Sequence, residues 1–184
     1  MKLKRRNPDF NIFVTADLHF GHANILKYCN RPFADVHEMN KALTDNWNAT
    51  VGPKDEVFIL GDFAFQNHVK YAEKLNGRKY LILGNHDKPR DAFKAEDEGL
   101  FEKVDNYCHL TVDNQTFILF HYAIRQWDKK HHKAIHLYGH SHGQLPPYHW
   151  SFDVGVDVWN YKPISIQQVL EHVKTLEEGF THHS

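Results

Sequence analysis

The sequence has little cysteine, no long hydrophobic run and no excess of charge of either sign. Its two cysteines, Cys29 and Cys108, form no CxxC pair, which argues against a disulfide framework or a thiolate zinc site. We interpret both as packing residues. The longest apolar stretches, residues 57–60 and 117–120, fall far short of the roughly 20 residues that span a bilayer. No apolar signal segment follows the basic residues 2–6, so we expect a cytoplasmic protein without a membrane segment.

Charge and length limit the class of protein further. Lys and Arg number 22 against 23 for Asp and Glu, a formal net charge of -1, so we do not expect long nucleic acid as a partner. A chain of 184 residues is long enough for one buried core and short for two, which predicts a single domain over residues 1–184. Histidine, by contrast, is abundant, with 16 residues. The histidines are therefore the first candidates for functional residues.

Buried strands are predicted where apolar and β-branched residues are dense, at residues 11–18, 56–60, 79–83, 116–120 and 134–138. Each segment runs into polar side chains that can bind metal or phosphate, namely Asp17 and His19, Asp62, Asn85 and His86, His121, and His140 and His142. In open α/β sheets, ligands bind at the carboxyl ends of the strands, where side chains converge. We therefore expect one site built from all five strand ends.

Three segments combine helical periodicity with capping signals. Asp35 precedes one stripe of apolar residues and Asn67 precedes a second. Ser165 and Gln168 match a capping box at the start of a third helix. We expect these helices to be scaffold.

The second half of the chain is richer in β structure. Residues 104–120 are typical of two short antiparallel strands around a turn at Asp113 and Asn114. Residues 152–158 alternate apolar side chains with Asp and Gly. Residues 90–98 are highly charged and show no clear period, so we expect a surface excursion there.

The polar residues at the strand ends form a set of metal donors. Asp17 and His19 are two residues apart, as are His140 and His142, and on an extended strand such pairs project to the same side. Carboxylate, amide and imidazole donors suit Mn²⁺, Fe²⁺, Ni²⁺ or Zn²⁺ better than Ca²⁺. Seven donors exceed one tetrahedral site, so we predict two metals that share a bridging carboxylate from Asp62.

The order of these motifs is more specific than any one of them. It runs Asp17-x-His19, Gly61-Asp62, Gly84-Asn85-His86-Asp87, His121, Gly139-His140-x-His142. This series resembles the calcineurin-like metallophosphoesterase superfamily, and in particular its small phage and bacterial members without a cap domain. The resemblance implies an α/β fold of two stacked β-sheets flanked by helices, a four-layer sandwich with a dinuclear centre at one end.

The resemblance also implies roles for individual residues. It places Asp17, His19, Asp62 and His142 on the first metal, and Asp62, Asn85, His121 and His140 on the second. It places His86 near the leaving group, with Asp87 orienting the His86 imidazole. Residues 63–65, Phe-Ala-Phe, depart from the pattern, because many members have a polar or charged residue there.

The implied activity is hydrolysis of small phosphodiesters, of nucleotide type, by in-line attack of a hydroxide that bridges two divalent ions, with Mn²⁺ favoured. No Ser or Cys in the sequence has the base and orienting partner of a covalent mechanism. Alternatives are a nucleotide phosphomonoesterase, a nuclease acting on long nucleic acid, and a non-catalytic scaffold of the same fold. The presence of His86 and of all seven donors disfavours the scaffold.

Three further residues are predicted to contact substrate. His22 lies close in sequence to the first ligand pair, and Arg31 and Arg125 are cations that could pair with a phosphate. Arg31, which precedes Pro32 and Phe33, could equally be a loop anchor.

Overall fold

A computed structural model of the chain describes residues 1–181, and within them ten strands form two sheets of five. The first sheet contains, in spatial order, β1 (Lys2–Arg5), β6 (Cys108–Val112), β7 (Gln115–Leu119), β8 (Ile135–Tyr138) and β9 (Ser151–Asp153). The second contains β10 (Ile164–Ser165), β2 (Ile12–Thr15), β3 (Glu56–Leu60), β4 (Arg78–Ile82) and β5 (Lys103–Asp105). Neighbouring strands are parallel except for two antiparallel pairs, β6 with β7 and β10 with β2.

The helices are α1 (Ile25–Tyr28), α2 (Val36–Thr50), α3 (His68–Ala72), α4 (Pro89–Asp97) and α5 (Ile166–Thr181), with one 3-10 turn at Lys130–His132. In the described residues, no helix is both long and apolar enough to cross a membrane. The predicted α/β class, with two sheets flanked by helices, is confirmed.

Strand alternation divides the core into layers. In β3, Val57 and Ile59 pack with the apolar faces of α2 to α4, whereas Phe58 and Leu60 pack between the two sheets. Because successive side chains of a strand point to opposite faces, a fully apolar strand can bury both faces, as β3 does. Helix α5 contributes Val169 to the cluster between the sheets. This packing fixes the ends of β2, β3 and β4 at one edge of the sandwich.

The predicted helix caps are confirmed by hydrogen bonds. The Asp35 carboxylate accepts from two backbone N–H groups in the first turn of α2, and the Asn67 side chain accepts from Lys70 N at α3. Ser165 and Gln168 hydrogen-bond reciprocally, 2.9 and 3.2 Å, at the start of α5.

One β prediction and one loop prediction have different outcomes. The hairpin is confirmed for β6 and β7, which are joined through Asp113 and Asn114, whereas residues 104 and 105 belong to β5 in the other sheet. The predicted excursion at residues 90–98 is wrong, because α4 begins at Pro89 and buries Ala92 and Ala95. Two alanines three residues apart give too little apolar contrast to be recognised as a helical stripe, although proline at the first helical position is a starting signal.

Candidate metal centre

Parallel strands place the seven predicted ligands at one edge of the molecule. Strands β2, β3 and β4 are mutually parallel neighbours, and so are β7 and β8 in the other sheet. The two sheets meet there through a bridge between Ala16 and Gly155, where Val156 N donates to Ala16 O at 3.0 Å. The ligand residues follow the ends of these strands, so both sheets contribute donors to the same edge.

The backbone at the ligands is left-handed rather than extended. Positive φ angles occur at five of the seven, with values of 57° at Asp17, 52° at His19, 53° at Asp62, 66° at His140 and 47° at His142. The prediction that each pair two residues apart projects from an extended strand is therefore wrong, since β2 ends at Thr15 and β8 at Tyr138. Such angles are uncommon outside glycine and are kept only where surrounding contacts enforce them, which is typical of functional sites.

All seven predicted ligands are brought together in two groups. The ligand atoms of Asp17, His19 and His142 lie within 4.8 Å of one another, as do those of Asp62, His121 and His140. Asn85 joins the second group, because its Oδ1 lies 3.0 Å from His121 Nε2.

One oxygen of Asp62 connects the two groups. Asp62 Oδ2 lies 3.5 Å from His19 Nε2 and 3.6 Å from His121 Nε2. The other oxygen of the same carboxylate accepts a hydrogen bond from His86 N at 2.9 Å. The carboxylate is thus fixed with one oxygen directed between the two histidines.

The donor set fits metal cations. His19 is 1% exposed, and its Nε2 has no hydrogen-bond partner among the described residues. A buried polar atom without a partner is costly, and a metal ion would satisfy it. Burial lowers the pKa of His19 below its ordinary value, which keeps the ring neutral, the form that binds metal. Burial also raises the pKa of Asp17 well above its usual range, a cost that a neighbouring cation would offset.

Hydrogen bonds orient the ligand rings. His121 Nδ1 lies 2.8 Å from Leu60 O, and a carbonyl oxygen can only accept, so Nδ1 carries the proton and Nε2 offers its lone pair. His142 Nδ1 lies 2.7 Å from Asp157 Oδ2. Burial lowers the pKa of His142, but its hydrogen bonds to Asp157 and Cys29 and the negative charge of Asp17 outweigh burial and raise that pKa to about 10.

Asp87 has a different role from the predicted one. Its carboxylate accepts from the backbone N–H groups of Asp62, Phe63 and Gly84, at 2.8 to 2.9 Å, and lies 2.8 Å from His68 Nε2. None of its hydrogen bonds within residues 1–181 goes to the His86 ring, so the prediction that Asp87 orients this imidazole is wrong. Asp87 instead ties together the loops that follow β3 and β4.

Arg31 is a loop anchor and not a substrate contact, which corrects one of the predictions. The residue is 4% exposed, and its guanidinium donates to both oxygens of Asp157 at 2.8 Å. It also donates to the backbone carbonyls of Asp17, at 2.6 Å, and Leu18, at 3.0 Å, and to Met39 Sδ. All five N–H groups are engaged, which leaves none for a phosphate.

Two carboxylates that the sequence analysis did not identify hold the His140–His142 loop. Asp157 binds Arg31 and His142, as described, and Asp153 accepts from Ser141 Oγ at 2.7 Å and from Gly143 N at 2.9 Å. The only signal for them was the alternation of apolar residues with Asp and Gly over residues 152–158.

Glycine is required where the backbone passes close to a ligand. A Cβ atom at Gly84 would lie 2.2 Å from Asp62 Oδ1 and 2.5 Å from Asp62 N. At Gly61, where φ is 92°, a Cβ atom would lie 2.2 Å from His121 Nδ1. Only glycine, which has no Cβ atom, fits at these two positions, so Gly precedes Asp62 in one motif and Asn85 in the other.

The remaining predicted residues lie at the rim of the centre or outside it. His86 is exposed, with its ring centroid 5.4 Å from that of His19. His22 is largely buried, with its ring 5.3 Å from His19. Arg125 is exposed and lies over the Tyr148 ring, 5.6 Å from its centroid, so the prediction of a phosphate contact finds no support in its position.

Comparison with known proteins identifies the family. A sequence model of the calcineurin-like phosphoesterase superfamily domain matches residues 32–157. An uncharacterised protein of Methanocaldococcus jannaschii is 39% identical over 173 residues, covering 91% of this chain and 92% of its own. The Gene 66 protein of Mycobacterium phage D29 is 27% identical, covering 92% and 98%. A protein of unknown function from Aquifex aeolicus has a similar fold, with a TM-score of 0.69, 20% identity, and coverage of 89% of this chain and 99% of its own. The chain therefore belongs to the calcineurin-like phosphoesterase superfamily.

Proposed function

We propose that the chain is a phosphodiesterase that uses two divalent metal ions to hydrolyse small phosphodiesters of the nucleotide class. The proposal rests on Asp62 Oδ2, which lies between His19 Nε2 and His121 Nε2 and so supports a ligand shared by two ions. Two such ions would neutralise charge on the phosphate and supply a nucleophilic water of lowered pKa. Mn²⁺ is the favoured ion, with Fe²⁺, Ni²⁺ and Zn²⁺ as alternatives, because the donors are nitrogen and oxygen atoms.

His86 is the proposed proton donor to the leaving oxygen. Its backbone N–H is fixed on Asp62 Oδ1, 2.9 Å away, while its side chain is exposed beside His19. A ring held at the edge of the centre can reach an oxygen that departs opposite an in-line nucleophile. A positioned general acid of this kind contributes about 10² to 10⁴ in rate.

Diesters are the proposed substrates, in preference to monoesters. Asn85, His86, Tyr122 and His140 are exposed at the mouth of the centre, which leaves room for a substituent on each side of a phosphate. The Arg31 guanidinium is hydrogen-bonded inside the fold, so it is not free to pair with the second negative charge that a phosphomonoester carries. Both features favour a singly charged diester.

Small substrates are preferred in the proposal because the net charge of -1 provides no general attraction for a long polyanion.

Both cysteines are free thiols, which supports a reducing compartment such as the cytoplasm.

Two p-nitrophenyl esters with the same leaving group test the proposal. We expect a higher kcat/KM for bis-p-nitrophenyl phosphate than for p-nitrophenyl phosphate at the same Mn²⁺ concentration. A clear preference for the monoester would reject the diesterase and favour a nucleotide phosphatase with the same ligands. A steep fall of activity on oligonucleotides with rising salt would instead indicate a nuclease.

A further inference from the structure

An exposed aromatic ring lies beside the metal centre. Phe65 is 38% exposed, and its ring stacks on that of His22, with centroids 4.7 Å apart and planes 13° from parallel. The His22 ring lies 5.3 Å from His19 and 5.8 Å from His86, again between ring centroids. A single exposed apolar side chain needs no special explanation. Its position against the histidines of the centre, however, gives Phe65 a place where it could contact a substrate.

A cleft adjoins the same ring. Its volume is about 420 Å³, within the usual range of small-molecule sites, and its lining residues are Gly21, Phe65, Gln66, Asn67, Lys70 and Tyr71. Phe65 therefore borders both the metal centre and the cleft. A molecule bound across Phe65 could place one end in the cleft and the other at the ligand groups.

The chemistry of the lining selects a particular class of ligand. Phe65 offers a flat apolar surface, Gln66 offers an amide with donors and acceptors, and Lys70 offers a positive charge. The Lys88 ammonium is 6.0 Å from the Phe65 ring centroid and adds a second cation. A nucleotide has a flat ring, hydrogen-bonding edges on that ring and a negative charge. An alkyl or lipid ester lacks the first two.

We propose that this cleft is a nucleobase subsite, in which one base of the substrate stacks on Phe65 while the scissile phosphate reaches the metal centre. The inference rests on the proposed phosphodiesterase function and adds a specificity determinant to it. Residues 63–65 are Phe-Ala-Phe, so this stretch of the chain ends in an aromatic residue. An aromatic residue at the end of this stretch would give this chain a base preference.

Binding to the metal-free protein tests the subsite without turnover. We expect adenosine 5′-monophosphate to bind about tenfold more tightly than ribose 5-phosphate in an NMR titration, since stacking of a base on an aromatic side chain typically contributes this much or more. Phe65→Ala should abolish the difference, and Phe65→Tyr should retain it. Phe93→Ala is the matched control, because Phe93 is 45% exposed and lies in α4, outside the lining of the cleft.

Kinetic measurements with Mn²⁺ then distinguish a loss of base binding at the subsite from a general loss of catalysis at the metal centre. The substrates are a dinucleoside phosphodiester with both bases and its two analogues that each lack one base. Phe65→Ala should lower kcat/KM about tenfold for the substrates that keep the base on the Phe65 side, and leave the analogue without that base unchanged. Equal losses on all three substrates, or no loss on any, would overturn the subsite.

The two proposals can fail separately. If the wild type hydrolyses none of the three diesters, the proposed function fails, and the nucleotide titration still decides whether the cleft binds a base. If it hydrolyses all three and the titration shows no difference between the nucleotide and ribose 5-phosphate, the subsite is rejected while the diesterase stands.

Discussion

Arg31 and Asp157 form a buried ion pair through two hydrogen bonds, each 2.8 Å, which joins the segment after α1 to the loop that follows β9. The same Asp157 carboxylate lies 2.7 Å from His142 Nδ1, and the same guanidinium donates to Asp17 O at 2.6 Å. Two residues of one candidate ligand group are thus held by one ion pair. Positioning of this kind can matter as much as the ligands themselves.

Asp157→Asn should therefore weaken metal binding by the group of Asp17, His19 and His142. We expect an affinity loss of about 10- to 100-fold, the usual effect of removing the partner of a ligating histidine. Calorimetric titration with Mn²⁺ should show one weakened and one unchanged site. Asp128→Asn is the control, because Asp128 is exposed and is not part of either group. Equal affinities in both variants would show that Asp157 does not position His142.

His86→Gln should keep both metal ions and lose turnover selectively. A leaving group such as p-nitrophenolate departs without a proton, whereas a sugar alkoxide needs one, so the loss should be about 10² to 10⁴ on the alkoxide substrate and small on the aryl ester. Steady-state rates on the two substrates, with metal content measured on the same samples, make the comparison. Similar losses on both would remove the general-acid role.

Gly84→Ala should damage the centre through sterics alone. The added Cβ would lie 2.2 Å from Asp62 Oδ1 and 2.5 Å from Asp62 N, so the Asp62 carboxylate or its backbone must move. Overpacking of this kind typically destabilises by about 1 to 3 kcal/mol. At Gly52 the nearest contact would be 3.2 Å, to Asp55 Oδ2, which makes Gly52→Ala a milder control. Gly84→Ala should unfold at a lower temperature and bind metal less tightly than Gly52→Ala. Identical behaviour of the two variants would contradict the tight fit at Gly84.

The pH dependence of stability should have a contribution from His136, a buried residue of β8. Burial lowers the pKa of His136 to about 4, below the ordinary 6.5, and its Nε2 has no hydrogen-bond partner among the described residues. The unfolded chain takes up this proton near pH 6.5 and the folded chain only near pH 4, so stability is lost as pH falls through this window. The full loss is about 3 kcal/mol.

His136→Asn should reduce that loss. The free energy of unfolding of metal-free protein in urea, measured at pH 7 and at pH 4.5, should fall less in the variant than in the wild type. His131→Asn, at an exposed position in the 3-10 turn, should behave like the wild type. An equal fall in the free energy of unfolding in wild type and His136→Asn would show that His136 is not kept neutral by the fold.

Strands and helix caps could be predicted because their signals are local. The apolar run of β3 was located at residues 56–60, as observed, and the capping box of Ser165 and Gln168 forms the predicted hydrogen bonds. Helix α4 was missed because its buried residues, Ala92 and Ala95, are small. Local patterns identify an element when its apolar face is large, and fail when burial is achieved by short side chains.

The sequence could predict which donor residues come together, but not their backbone conformation or the residues that support them. The left-handed backbone at Asp17 and His19 is accompanied by hydrogen bonds to the loop that follows β3, where Asp17 N donates to Gly61 O and His19 N to Asp62 O, at 3.0 and 2.8 Å. The role of Arg31 depends on Asp157, 126 residues away in sequence. Contacts over such separations have no signature in one sequence, so a buried anchor and a phosphate-binding arginine look alike.

The Mn²⁺ content of purified Asp62→Ala, beside that of the wild type and His140→Ala, tests the shared carboxylate most directly. Asp62 Oδ2 contacts a histidine of each group, whereas His140 belongs to the second group alone. We expect two ions per chain in the wild type, about one in His140→Ala, and less than one in Asp62→Ala, because the loss of a bridging ligand weakens both sites. Two ions per chain in Asp62→Ala would contradict a dinuclear centre joined by this residue.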